Sequence, residues 1–314
     1  MNAKLRFESR TKLMITGEYL VLAGAKALAM PLRFGQSLSI EAFSSVQPII
    51  DWETYIQANL WFKTRFVGVD LEANLDKKED DQHTSRLRGI LLAARKLNPE
   101  FLKSNLRWEA KSELDFDINW GLGSSSTLIS NIAYWANVDP YKLHFMVSQG
   151  SAYDIACARS QQPLLYTYKG KNVNPEVEQT SFHPNFSSRL FFVYSGKKQN
   201  SEASVRAFDA GLVSTADVQA ITSLSEKMTN AERLHDFEKM MSQHESIISK
   251  YTGLRPVKER LFGDFPGEVK SLGAWGGDFL LAASEVAPDK IISYFSEKGF
   301  ETVFSFDEML AKNQ

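Results

Sequence analysis

Two glycines one residue apart run into four hydroxyl residues at Gly121-Leu122-Gly123-Ser124-Ser125-Ser126-Thr127, and an apolar helical pattern follows. Glycine lets the backbone turn sharply and approach a ligand closely, and the first N–H groups of the helix behind it have no carbonyl partner. That combination suits a phosphate. The lysine of Gly-x-x-x-x-Gly-Lys-Ser/Thr is missing, and Ser126 stands where Gly-x-Gly-x-x-Gly has its third glycine, so neither of the commoner phosphate loops applies. By itself the fragment is equally a turn followed by a helix cap.

Other residues could do chemistry. Glu18 is a charge inside an apolar stretch, costly unless it is paired or solvated in a cleft, and Lys12 is a candidate partner. Asp154 follows small residues and opens a short helical pattern, where an acid either satisfies backbone N–H groups or acts on a substrate. Lys197 and Lys198 lie between a strand pattern and a helix pattern, where they hold an anionic substrate or are only solvated. Gly273-Ala274-Trp275-Gly276-Gly277-Asp278 is a second glycine loop, readable on its own as a hairpin turn. His235 and His244 lack ligand spacing, so no histidine-built metal site is expected. The single cysteine, Cys157, excludes an internal disulfide and reads as a small buried apolar residue.

A net charge of -2 gives no reason to expect nucleic-acid or anionic-membrane binding. Hydrophobic residues at 43% and charged residues at 24% are those of an ordinary globular chain, and 314 residues leave room for one large or two medium domains. Basic residues up to Lys12 precede an apolar run at 13–29 that superficially resembles an export signal. Glu18 and further polar or glycine positions interrupt it, so a cytoplasmic protein is expected, and no stretch is long enough to span a bilayer.

Strands and helices must alternate to position these residues. Short β-branched or aromatic runs predict strands at 12–16, 27–31, 37–43, 49–55 and 59–66. A polar loop is expected at 70–83, and Leu87, Ile90, Leu91, Ala94 and Leu97 then fall at helical spacing before Asn98-Pro99. Strands at 106–108 and 114–118 lead into the first glycine loop, a helix follows at 127–136, and Asp139-Pro140 opens another. After a strand at 163–168, the polar stretch 169–185 is expected to be the domain boundary, giving domains 1–170 and 185–314. Beyond it lie a strand at 190–194 and a long helix with Leu234, Phe237, Met240, Met241, Ile247, Ile248 and Tyr251 on one face. A helix at 289–298 capped by Gly299 and a strand at 301–306 close the chain.

Three of these segments resemble, in order and spacing, the motifs of the GHMP kinases, the family of galactokinase, homoserine kinase, mevalonate kinase and phosphomevalonate kinase. They are Lys12-Leu13-Met14-Ile15-Thr16-Gly17-Glu18-Tyr19-Leu20-Val21-Leu22, the loop 121–126 beside Gly-Leu-Gly-Ser-Ser-Ala, and 273–278 beside Gly-Ala-Gly-Gly-Gly. Gly150-Ser151-Ala152-Tyr153-Asp154-Ile155-Ala156 is similar to the segment Gly-Ser-Gly-Tyr/Phe-Asp that carries the family's catalytic aspartate, and suggests the subgroup labelled GYDIA. The resemblance implies a two-domain α+β fold: an N-terminal, ribosomal-protein-like α/β domain and a C-terminal ferredoxin-like α+β domain, with ATP and acceptor in the cleft between them.

It further implies an ATP-dependent kinase. Gly121, Leu122, Gly123, Ser124, Ser125, Ser126 and Glu18 would bind the nucleotide, Ser125 would touch Mg²⁺, and Asp154 would handle the acceptor proton opposite Lys12. Lys197, Lys198, Ser201, Gly276, Gly277 and Asp278 would hold a small anionic acceptor, and Gly-Gly-Asp at 276–278 looks more like the mevalonate and phosphomevalonate branch than the sugar kinases. The chain would be a monomer or a homodimer. It departs from the pattern in having Asp117 to Trp120 in place of a proline before the loop, Trp275 for a glycine, and Leu143 and His144 where the family's second metal-binding glutamate often stands. Those departures leave a silent relative that binds nucleotide or a partner as the alternative, alongside a homoserine or sugar kinase. Retention of both Lys12 and Asp154 favours an active enzyme.

Overall fold

The structure is a computed structural model that describes residues 4–68, 70–73, 82–171, 173–199, 201–275 and 277–311. Its contacts divide the chain into two compact units. Unit one comprises Met1–Thr11, Phe34–Ile118 and Gly123–Arg159, and unit two Lys12–Arg33, Asn119–Leu122 and Ser160–Gln314. Strands and helices occur in both, so the class is α+β.

Two long strands, β1 (Lys4–Met14) and β2 (Ala27–Ser44), run from one unit into the other. In unit one, β3 (Ile49–Ile56), β4 (Asn59–Val67), β5 (Glu72–Ala73) and, after α1 (Gln82–Leu97), β6 (Leu106–Leu114) complete a sheet in the order β5-β4-β3-β6-β2. The β3–β6 pair is parallel and its neighbours are antiparallel. Trp108, Ala110, Ser112 and Leu114 alternate inward along β6, the period of two that a half-buried strand requires. Three helices follow: α2 (Ser124–Ala136), α3 (Pro140–Val147) and α4 (Tyr153–Ala158). Leu87, Ile90, Leu91 and Ala94 of α1 and Ile129, Ile132, Ala133 and Ala136 of α2 are buried, at helical spacing. A polar tie fixes α2 against the sheet: Asn131 Nδ2 donates to the Gln36 carbonyl at 2.8 Å, and Asn131 Oδ1 accepts from Ser9 Oγ at 2.8 Å.

In unit two, Ala27, Leu28 and Ala29 of β2 pair with β7 (Leu164–Thr167), which pairs in turn with β8 (Glu176–Gln179). Then come β9 (Leu190–Tyr194), α5 (Ser201–Ala207), α6 (Thr215–Thr229), α7 (Leu234–Thr252), α8 (Val257–Leu261), β10 (Glu268–Leu272), β11 (Phe279–Ala283), α9 (Pro288–Glu297), β12 (Val303–Ser305) and α10 (Phe306–Met309). The second sheet runs β10-β11-β9-β12 and is antiparallel throughout. Strand, helix, hairpin, helix, strand with this order is the ferredoxin-like arrangement. Phe191, Val193, Val269, Leu280, Ile291 and Phe295 lie in its core.

Several boundaries differ from those the sequence suggests. The runs at 27–31 and 37–43 form one strand, because Gly35 is not a break: a Cβ there would sit 2.8 Å from the Ser9 carbonyl, so the glycine admits β1. The two runs at 106–108 and 114–118 likewise become β6 and a short 3₁₀ turn that includes Ile118. Helix α1 begins at Gln82, inside the expected loop 70–83, most of which lies outside the described residues. The last strand ends at Ser305, where a reciprocal Ser305–Glu308 capping box starts α10. The stretch 169–185 contains β8. Cys157 is buried, as expected.

Candidate active site

The first glycine loop passes from unit two into unit one between Leu122 and Gly123. Within unit one, Gly123 adopts a left-handed conformation (φ 95°) as the N-cap of α2, and its carbonyl accepts the amides of Ser126 and Thr127 at 3.0 and 3.1 Å. The amides of Ser124 and Ser125 precede those bonds and have no intrahelical acceptor, which leaves positive potential at this end. No side chain caps the helix.

The three serines then divide. The exposed Ser125 hydroxyl accepts from Arg86 Nη2 at 3.1 Å, while Arg86 Nη1 donates to the Val147 carbonyl at 2.9 Å. Arg86 therefore brings a fixed cation from α1 to the start of α2. Ser126 is buried, and its hydroxyl donates to Asp154 Oδ2 through a short hydrogen bond. Asp154 Oδ1 accepts the Ile155 amide at 3.2 Å. The backbone before Asp154 is strained as well, since Ala152, where the resembling motif has glycine, is left-handed at φ 62°. Thr127 faces the sheet, bonded to Gln36 Oε1 at 2.6 Å. His144 is buried on α3 and makes an edge-on contact with Phe145.

Within unit two, Lys12 is tied to the loop twice: its amide donates to the Leu122 carbonyl and its Nζ to the Gly121 carbonyl, each at 3.2 Å. Gly121 has φ 70°, and a Cβ on it would lie 2.3 Å from Asp278 Oδ1. The close approach at Gly121 is thus made by a carboxylate of the second glycine loop. That loop closes the β10–β11 hairpin and packs on the lysine turn: the Asp278 amide donates to the Lys197 carbonyl at 2.7 Å, and the Gln199 amide to Asp278 Oδ1 at 3.1 Å. A Cβ on Gly277 would meet Gln199 Cγ at 2.5 Å. Lys197, Lys198, Gly277 and Asp278 are therefore brought together. Burial pushes the Asp278 carboxyl above the ordinary aspartate range, while the Gln199 amide, Lys12 and Lys198 pull the other way. Ser201 opens α5, but its side chain and Gly276 lie outside the described residues.

The Trp120 ring stands edge-on to Phe279 and Phe304, which anchors the loop where a proline was expected. Trp275 is buried with Leu20, Ala25, Ile221, Leu224 and Ile248. Its amide donates to the Tyr19 hydroxyl at 3.2 Å.

Glu18 does not pair with Lys12. Its buried carboxylate meets Lys270 Nζ at 2.5 Å through Oε1, and Oε2 lies 3.1 Å from His244 Nε2. Burial alone would raise the Glu18 carboxyl, but Lys270 holds it below its usual range. The Gly17 amide donates to the same His244 nitrogen at 2.9 Å, so that nitrogen presents a lone pair and the ring is neutral. We therefore read Lys270 as the charge partner of Glu18 and the histidine contact as the weaker one. Burial lowers His244 to about 4, and Glu245 beside it is raised by burial to about 7 although it accepts the amides of Val257 and Ser271. Among the described residues no group of three or more His, Cys, Asp or Glu could hold a metal ion. No helix among them is long and apolar enough to cross a membrane.

No family model matches the sequence, and no curated protein matches it. Solved structures do. Methanococcus jannaschii mevalonate kinase superposes with a TM-score of 0.66 over 99% of each chain at 16% identity. Streptococcus pneumoniae phosphomevalonate kinase, solved with phosphomevalonate and AMPPNP, gives 0.65 over 96% of this chain and 99% of that one, also at 16% identity. Lactococcus lactis galactokinase, solved with galactose, gives 0.61 over 96% and 92% at 12% identity. Kinases of three different acceptors share one architecture with this chain along nearly its whole length, and the fold of the chain is that of the GHMP kinases.

Proposed function

We propose that this chain is an ATP-dependent small-molecule kinase. One observation carries the reading: the first turn of α2 gathers unpaired amides, the Arg86 guanidinium and the Asp154 carboxylate in a chain with the GHMP kinase fold. Amides and a guanidinium suit phosphate oxygens, and a carboxylate beside them suits the hydroxyl or phosphate O–H that receives the phosphoryl group.

In this reading the acceptor O–H, the hydroxyl of an alcohol such as mevalonate or the acid O–H of a phosphate such as phosphomevalonate, donates to Asp154. As its oxygen bonds to the γ-phosphorus and the bond to the β-phosphate oxygen breaks, the proton passes to the carboxylate and ADP leaves. Arg86 and the α2 amides face the charge that builds on phosphate oxygens, and Lys12, held by the Gly121 carbonyl, offsets charge on the moving group. Lys197, Lys198 and the loop ending in Asp278 hold the acceptor. Lysines there favour a small anion, and we propose mevalonate or phosphomevalonate, acceptors related to those of two of the similar enzymes. Glu18 is left out of nucleotide binding because its buried carboxylate is occupied by Lys270.

The residues fit a protein-built Mg²⁺ site poorly: Ser125 offers one hydroxyl, already engaged by Arg86, and His144 and Leu143 supply no carboxylate. No step is assigned to a metal held by the protein. The test is ADP release from MgATP with mevalonate, phosphomevalonate, homoserine and sugars, together with AMPPNP binding. Turnover of an anionic alcohol supports the reading; AMPPNP binding without turnover of any acceptor identifies a silent relative; loss of neither in Gly123→Val, with its fold intact, removes the loop from the site.

A further inference from the structure

We infer that Ser126 is a positioning residue that holds Asp154 in the orientation its chemistry requires. This rests on the kinase reading above. The motif that the loop resembles ends in alanine, so position 126 carries a hydroxyl that the motif lacks. That hydroxyl is directed: an ionised carboxylate can only accept, so the Ser126 proton must point at Asp154 Oδ2.

Its commitment separates Ser126 from its neighbours. The Ser126 amide is used by the Gly123 carbonyl, the residue is 5% exposed, and its hydroxyl proton is given to Asp154. None of its donors is left for a phosphate. Ser125, in contrast, receives its hydrogen bond from Arg86 and keeps its own hydroxyl proton to donate. Asp154 stands on α4, a helix of six residues whose start at Ala152 is strained, so the short helix alone fixes the carboxylate weakly. The bond to Ser126 moors it to the longer and well-packed α2. With Oδ2 held by Ser126 and Oδ1 by the Ile155 amide, the carboxylate is fixed in one orientation and keeps lone pairs for the acceptor.

The experiment compares Ser126→Ala, Ser126→Thr, Asp154→Asn and the double change Ser126→Ala/Asp154→Asn. Readouts are kcat for ADP release from MgATP, to the acceptor panel or to water, and the Kd of AMPPNP. We expect Ser126→Ala to lower kcat about tenfold through misorientation while AMPPNP affinity stays within about twofold. Threonine, which keeps the hydroxyl, should restore most of the rate. In the Asp154→Asn background the serine change should do nothing further, because the two act as one unit. An equal loss in both backgrounds, or an AMPPNP affinity that falls in step with kcat, overturns the inference and makes Ser126 a nucleotide ligand. Wild-type rates in Asp154→Asn remove Asp154 from the chemistry and overturn this inference alone, whereas a parent chain that neither binds AMPPNP nor releases ADP overturns the kinase reading and this inference with it. The parent and Asp154→Asn arms distinguish those failures from failure at Ser126 alone.

Discussion

A carboxylate oriented by a donor on each oxygen, with lone pairs to spare, is prepared to accept a further hydrogen bond, and that describes Asp154. Asp154→Asn keeps the size and cannot take a proton, so kcat should fall by about 10² or more while AMPPNP affinity holds. A loose phosphoryl-transfer transition state makes light use of a base, so part of the loss reflects orientation. Steady-state ADP release against AMPPNP calorimetry checks the split; near-equal kcat would reduce Asp154 to a helix-start acid. At this scale the sequence singled out Lys12, Asp154 and the serines as candidates, because glycine loops and helix starts leave local signatures. It could not show Arg86, since an arginine on the polar face of a helix looks like any solvated one. Nor could it separate Ser125 from Ser126, or pair Glu18 with Lys270, 252 residues away.

At the level of elements, the two glycine loops are fitted to each other in unit two. Gly121→Ala would place a Cβ against the Asp278 carboxylate and force an L-residue to a φ of 70°. The conformation alone costs about 1–2 kcal/mol, and the collision adds to it, so a loss of about 2 kcal/mol or more is expected in urea unfolding. Asp278→Gly in the same chain should recover the collision and leave the conformational part; no recovery would mean that the two loops are independent. Periodicity made most elements legible: α1, α2, α7, β3, β4 and β9 stand close to where apolar spacing placed them. Merged strands were missed because a glycine that admits a neighbour looks like one that ends a strand. The buried face of α7 held a further surprise. Its apolar stripe includes His244 and Glu245, both buried, and apolar spacing says nothing about polar residues that find partners elsewhere.

Across the molecule as a whole, stability should depend on pH through that same pair. His244 sits near 4 against 6.5, so the folded chain keeps it neutral; its contribution is present above 6.5 and lost as pH falls through that window. Glu245 sits near 7 against 4.5, so the folded chain keeps a proton that the unfolded one releases; its contribution is present below 4.5 and lost as pH rises to 7. The two slopes oppose each other between 4.5 and 6.5. Replacing Glu245 by Gln should unmask the histidine, so that the variant gains on the parent as pH rises, by up to about 1.4 kcal/mol per pH unit. Urea unfolding across that range checks it, and a constant difference would show that Glu245 does not titrate there. Lys270→Met leaves the buried Glu18 carboxylate without its cation and should cost about 3–5 kcal/mol; adding Glu18→Gln should return much of it, and simple additivity of the two changes would refute the pairing.

The threading of β1 and β2 through both units bears on how the chain is made. Residues 12–33 belong with residues 160–314, so the second unit cannot close until the ribosome has supplied nearly all of the protein. Glu18 and Lys270 are 252 residues apart, which at about 5–20 residues per second separates their emergence by roughly 13–50 s. Through that interval Glu18 must remain hydrated, and for its earlier part Ala27, Leu28 and Ala29 lack the β7 strand that later pairs with them. A fragment made of 160–314 alone should therefore fail to fold, and should do so until a peptide covering 12–33 is added in trans.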